Sequence, residues 1–167
     1  MSSRMPPVSD IPNGPAAADL EPLQRELLIE EARALAEALA DPERRARYAE
    51  LAEAVEAGHA PEHLVDAVHD LLELGLETGR FRRRYTAEGE QALLALYRRT
   101  PRGAAGQATA TAANEALGAL RGRRVQSVAF TSKGPGAWAL ALATDAGRVS
   151  LRIARDGVWV ESVEVDS

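Results

Sequence analysis

Arg148-Val149-Ser150-Leu151-Arg152-Ile153-Ala154-Arg155-Asp156-Gly157-Val158-Trp159-Val160 is the stretch that decides the fold. Val149, Leu151 and Ile153 alternate with Arg148, Ser150 and Arg152, the period of a half-buried strand. Asp156-Gly157 then supplies the dipeptide that a tight hairpin needs. Outward from this hairpin the same period predicts four strands, Val125–Thr131, Ala137–Thr144, Arg148–Ala154 and Val158–Val165. Their other connections are Lys133-Gly134-Pro135-Gly136 and Asp145-Ala146-Gly147. On the second strand Trp138, Leu140 and Leu142 share a face, opposite Ala139, Ala141 and Ala143. The last strand changes phase near Glu161-Ser162, which predicts a bulge or a frayed end. A four-stranded antiparallel meander with one apolar face needs a cover. The helix just before it, with Ala113, Ala116, Leu117 and Leu120 on one side, is expected to provide one.

Upstream the period is helical. A first helix is predicted from about Asp19 to Ala40, with Leu23, Leu27, Leu28, Leu35 and Leu39 as its stripe and Glu26, Glu30, Glu31 and Glu37 off it. Asp41-Pro42 restarts the chain as a second helix, an N-cap followed by proline in the first turn, running to about Ala57. A third helix begins at Pro61 and runs to about Glu73, where Leu74-Gly75-Leu76 breaks the period. Thr86 is expected to cap a fourth helix that carries Glu88 and Glu90 in its first turn and ends near Thr100-Pro101. The fold class is therefore α+β, an N-terminal helical part followed by a helix-covered four-stranded meander. The domain reading is a tail over 1–18, a helical domain over 19–102, a linker over 103–112 low in large side chains, and a helix plus sheet over 113–167.

Composition narrows the chemistry. In 167 residues, 46% are apolar but only 4% aromatic, so Leu, Val and Ala must build the core. Cysteine is absent, which removes disulfides and thiolate metal sites and fits a reducing cytoplasm. Residues 1–18 lack the apolar run of a secretory signal, and no run approaches the roughly 20 residues of a membrane span. The net charge of −5 is segregated. Residues 1–79 hold 6 Arg against 17 acidic residues, whereas residues 80–124 hold 10 Arg against 3. Such asymmetry marks a face for an anionic partner, or a basic segment that docks on the acidic helices of its own chain or of a twin.

Residues 48–97 resemble a winged helix-turn-helix. Tyr48-Ala49-Glu50-Leu51-Ala52-Glu53-Ala54-Val55 is similar to that fold's second helix, and Pro61 to Leu74 to its third. Leu71-Leu72-Glu73-Leu74-Gly75-Leu76 matches the turn into a wing, and Tyr85-Thr86-Ala87-Glu88-Gly89 followed by Ala92-Leu93-Leu94 matches the wing's close and the next helix. Tyr85 abuts Thr86 directly, a departure from the family's spacing. The resemblance implies DNA binding through the third helix. That helix region carries Glu62, Asp66, Asp70, Glu73 and Glu77 and no Arg or Lys, which duplex phosphates would repel. A winged helix turned to protein contact is the form expected here, with only the arginine run available to phosphate.

The strongest binding candidates for an anionic partner are Arg80, Arg82, Arg83, Arg84, Tyr85, Arg98 and Arg99, with Phe81 and Tyr85 placed for stacking. His63, Asp66 and His69 are the metal candidates by helical spacing, although the zinc-protease pattern is absent. Thr131-Ser132-Lys133-Gly134-Pro135-Gly136 lies between strands, so it reads as a hairpin and not a phosphate loop. Ser132 has no histidine in the sheet region to activate it. No catalytic residue and no cofactor is expected. The expected function is non-catalytic protein–protein interaction or assembly, with a protein partner or a homodimer. The alternative is a nucleic-acid-binding regulator that uses the Arg80–Arg84 run.

Overall fold

The computed structural model describes residues 20–59 and 61–165. The expected tail and Asp19, the expected start of the first helix, lie outside them. The architecture is α+β: helices α1 (Pro22–Ala38), α2 (Pro42–Glu56), α3 (Val65–Glu77), α4 (Arg80–Arg84), α5 (Ala87–Arg99) and α6 (Pro101–Gly118), then strands β1 (Val125–Gly134), β2 (Ala137–Thr144), β3 (Gly147–Ala154) and β4 (Gly157–Val165). The chain divides at Gly103/Ala104 into a helical unit and a sheet unit. Among the described residues no helix is long and apolar enough to cross a membrane.

In the helical unit, α1 starts where the Glu21 N–H donates to the Gln24 side chain at 3.3 Å. Gln24 is itself buried and donates to the Ala92 carbonyl of α5 at 3.2 Å. Asp41 caps α2 as its sequence predicts, accepting from the N–H groups of Glu43 and Arg44. Thr86 caps α5, accepting from Gly89. Leu28, Leu51, Val55, Leu64, Leu72, Phe81, Leu93 and Leu96 are almost wholly removed from water and form one core with their neighbours.

Two stretches depart from their sequence reading. First, α3 does not stop at Leu74-Gly75-Leu76 but continues to Glu77. Gly75 is the place where the Phe81 ring lies on the helix: a Cβ there would fall 2.0 Å from Phe81 Cζ. The glycine is a contact surface and not a breaker. Gly79, at φ +64°, then reverses the chain so that Arg80–Arg84 form a helical turn, where the winged-helix resemblance implied a wing. The described part of the helical unit contains no strand. Second, residues 103–112, read as a linker, are helical within α6. Pro101 suits a first turn, and the Thr100 hydroxyl accepts from the Gly103 N–H at 3.2 Å. The alanines that follow favour helix without any large side chain.

In the sheet unit the strands run in the order β1-β2-β3-β4, every pair antiparallel. The register shift lies opposite Ser150/Leu151, which leaves Glu161 extra on β4, where the sequence changes phase. Cross-strand rows share faces: Val128–Leu142–Val149–Val163 is one, Phe130–Leu140–Leu151–Val160 the next. The α6 residues Ala113, Ala116 and Leu117, together with Leu120 just beyond the helix, pack with Leu140, Val149, Leu151 and Val158. The cover expected from the sequence is thus supplied over the middle of the apolar face. On the opposite face Arg152 lies across from Trp159, its guanidinium 4.4 Å from the ring centroid.

Candidate functional site

Two members of the arginine run, Arg80 and Arg84, reach the carboxylates of α1, while Arg82 and Arg83 stand exposed. Glu31 of α1 is 3% exposed, and three donors meet it: Arg80 Nε at 2.6 Å, the Tyr85 hydroxyl at 2.7 Å and Arg84 Nε at 3.2 Å. Arg84 also reaches Glu30 through Nη2. Arg82 pairs with Glu90, and Arg83 donates to the Thr78 carbonyl at 2.9 Å. Arg98 and Arg99 stand exposed in the last turn of α5. Of the seven residues, Arg80, Arg84 and Tyr85 converge on Glu31, whereas Arg82, Arg83, Arg98 and Arg99 have exposed side chains. The hub of the arrangement is Glu31, which the sequence reading set off the apolar stripe. Its signal was present: it lies four residues after Leu27 and four before Leu35, on the buried side of α1.

Burial and nearby carboxylates govern the tyrosines. Burial, then the hydrogen bond to Glu31, raises the Tyr85 phenol above its ordinary range. Burial followed by the Asp70 charge raises Tyr48, and burial followed by the Glu73 and Glu77 charges raises Tyr97. These are the three tyrosines of the chain. A phenol whose folded value is raised holds its proton more tightly in the folded state. The stability it contributes is full below about pH 10, the unfolded value, and is lost as pH climbs through the folded values. Phenolate absorbance should therefore rise at higher pH in the folded chain than in denaturant, and unfolding free energy should fall above about pH 10. Superimposed folded and denatured titration curves would contradict this account.

Of the histidines, His63 is exposed and its Nε2 meets Glu50 of α2 at 2.9 Å. His69, on the same helix as the exposed Asp66, is instead 2% exposed and faces α5. Its ring lies 5.5 Å from that of Tyr97, its Nδ1 3.2 Å from the Thr100 hydroxyl and its Nε2 3.2 Å from Glu73 Oε2. His63, Asp66 and His69 are not brought together. Among the described residues, the potential ligand atoms that converge are those of His69, Asp70 and Glu73. An open groove of about 780 Å³ along α1 is lined by three arginines (Arg25, Arg33 and Arg84) and by glutamates of α1 and α2, Glu56 among them.

The sheet unit offers a surface of a different kind. The two apolar rows are buried at their centre and bare at their ends. Val128 is 60% and Phe130 62% exposed on β1, and Val160 and Val163 are exposed on β4. Phe130 stacks on Trp138 at 6.5 Å between centroids and 18° between planes. From Val125 to Ser132, β1 carries no charged residue, and it is an edge strand. Its register with β2 is unbroken from Ser127 to Ser132, between two irregularities. Edge strands are ordinarily guarded by charges or proline. The other edge, β4, has Glu161 and Glu164; β1 has no such guard along those six residues.

No protein-family model matches the chain, no curated protein matches its sequence, and no solved structure matches its fold.

Proposed function

We propose that the chain is a non-catalytic interaction protein that assembles with a second copy of itself, β1 against β1. One observation carries this reading: an edge strand without charge from Val125 to Ser132, whose Val128 and Phe130 stand exposed on the apolar face. Antiparallel pairing about a two-fold axis places the same strand on both sides of the contact, so each copy supplies what the other lacks. The unpaired N–H and C=O groups of Ser127–Ser132 gain partners, and the two apolar rows continue into the second sheet. The arginine run lends less to a nucleic-acid reading, because Arg80 and Arg84 are engaged by the carboxylates of α1.

Light scattering on the eluting chain should give a mass of about two chains. Phe130→Ser removes an apolar contact worth about 1.5–3 kcal/mol at each position, so dimer dissociation should strengthen at least tenfold. Val128→Lys places an ammonium on the edge and should give monomers. A wild-type chain that stays monomeric at high concentration would end this proposal, as would a dimer indifferent to both changes.

A further inference from the structure

The geometry points to a binding site for a divalent transition-metal ion at His69 Nε2 and the carboxylates of Asp70 and Glu73, held closed in the metal-free chain by Arg102. Thr100 sets the state of the histidine ring. Its hydroxyl has one proton, and the shortest contact, 2.7 Å to the Tyr97 carbonyl, takes it. The same oxygen accepts from the Gly103 N–H at 3.2 Å. What remains for the ring of His69, 3.2 Å away, is an acceptor, which assigns the hydrogen to Nδ1. In the neutral imidazole, Nε2 is then a bare lone pair. It is buried with its ring and aimed at Glu73 Oε2, itself an acceptor, 3.2 Å away. Two acceptors in contact need a positive centre between or beside them; Arg102 stands beside the carboxylates, and the space between is left to a second ring proton or a bound cation.

The surroundings fit a cation. One ligand atom from each of His69, Asp70 and Glu73 lies within 4.8 Å of the others. Ligands at about 2.1 Å from one ion lie at most about 4.2 Å apart, so small rotations of the two carboxylates close the set. The imidazole is 2% exposed, and its Nδ1–H bond to Thr100 turns Nε2 toward the carboxylates, the usual device behind a ligating histidine. The carboxylates are accessible, with side-chain exposures of 45% for Asp70 and 31% for Glu73. Arg102 stands over both, its Nη1 3.4 Å from Asp70 and 3.7 Å from Glu73. It is 59% exposed and free to swing away when a stronger charge arrives. One imidazole and two carboxylates suit Zn²⁺, Co²⁺ or Mn²⁺ better than Ca²⁺ or Mg²⁺.

Zinc titrated into the full chain without an affinity tag, followed by calorimetry and by long-range ¹H–¹⁵N spectra of the histidine rings, tests this. The metal-free chain at mildly alkaline pH should show His69 protonated at Nδ1. One equivalent of Zn²⁺ should move its Nε2 resonance. Asp70→Asn with Glu73→Gln should weaken binding at least about tenfold, and both positions are exposed enough for the variant to fold. Arg102→Ala should bind zinc more tightly than the wild type. The proposal is overturned by an Nε2–H tautomer in the metal-free chain, by zinc shifts confined to His59 and His63, or by equal affinity in the wild type and the carboxylate variant. Weaker binding in Arg102→Ala would likewise overturn it.

Discussion

Phe81→Ala should unfold the helical unit more readily than any other single truncation of an aromatic, by about 3–5 kcal/mol. The ring is 1% exposed and fits against the one α3 position without a side chain. Its loss opens a cavity that α3 and α4 cannot close, because α4 is a single turn held between Gly79 and Tyr85. Urea unfolding followed by circular dichroism should show the midpoint falling with little change in slope. The companion substitution gives the argument a sign test. Gly75→Ala alone drives a methyl into the ring and should destabilise. In the Phe81→Ala background the clash is gone, and alanine's helix preference, about 1 kcal/mol over glycine, should make the same change stabilising. Equal effects of Gly75→Ala in both backgrounds would show that the ring and the glycine are not coupled.

Glu31→Ala is expected to cost about 2–4 kcal/mol. Removing one member of a buried charge group commonly costs about 3–5 kcal/mol. The figure is lowered here because Arg80 and Arg84 are 42% and 40% exposed and recover water when the carboxylate goes. Tyr85 loses its acceptor as well. Glu31→Gln keeps the shape but turns an amide toward two guanidinium groups, so it should lie between wild type and alanine. A double-mutant cycle with Tyr85→Phe isolates the phenol's share, and additivity within about 0.5 kcal/mol would remove Tyr85 from the hub. The Tyr85 phenol should also ionise at lower pH in Glu31→Gln than in wild type. It should stay above the ordinary range, because burial is the larger cause of its shift.

The parts of this structure that the sequence made legible are those set by neighbours along the chain. Asp41-Pro42 and Thr86 stop and start helices by hydrogen bonds two or three residues away. Alternation over Val149–Ile153 and the Asp156-Gly157 pair define a hairpin with no distant information. What stayed hidden depends on partners far apart in sequence or on weak local preference. Gly75 is indistinguishable from a breaker until Phe81 is seen upon it. Residues 103–112 carry no apolar stripe, so helix preference alone had to reveal them, and small residues read equally well as a linker. The arginine run was visible as charge, but its partners on α1 lie about 50 residues earlier. Glu31 could have been placed by its spacing from Leu27 and Leu35; its charge hid it. His69 is visible in the sequence, but helical spacing offers it Asp66 and His63 and not the two carboxylates that converge on it.

The order β1-β2-β3-β4 also says something about how the sheet unit is made. Each strand lies beside the one synthesised immediately before it, and each turn between them is two residues long. Closing such short loops costs little chain entropy, and contacts this local assemble quickly. The helix that shields the greasy side comes first in the chain. A nascent polypeptide can thus zip this ladder one rung at a time beneath a roof already built, with no long-distance search at any stage.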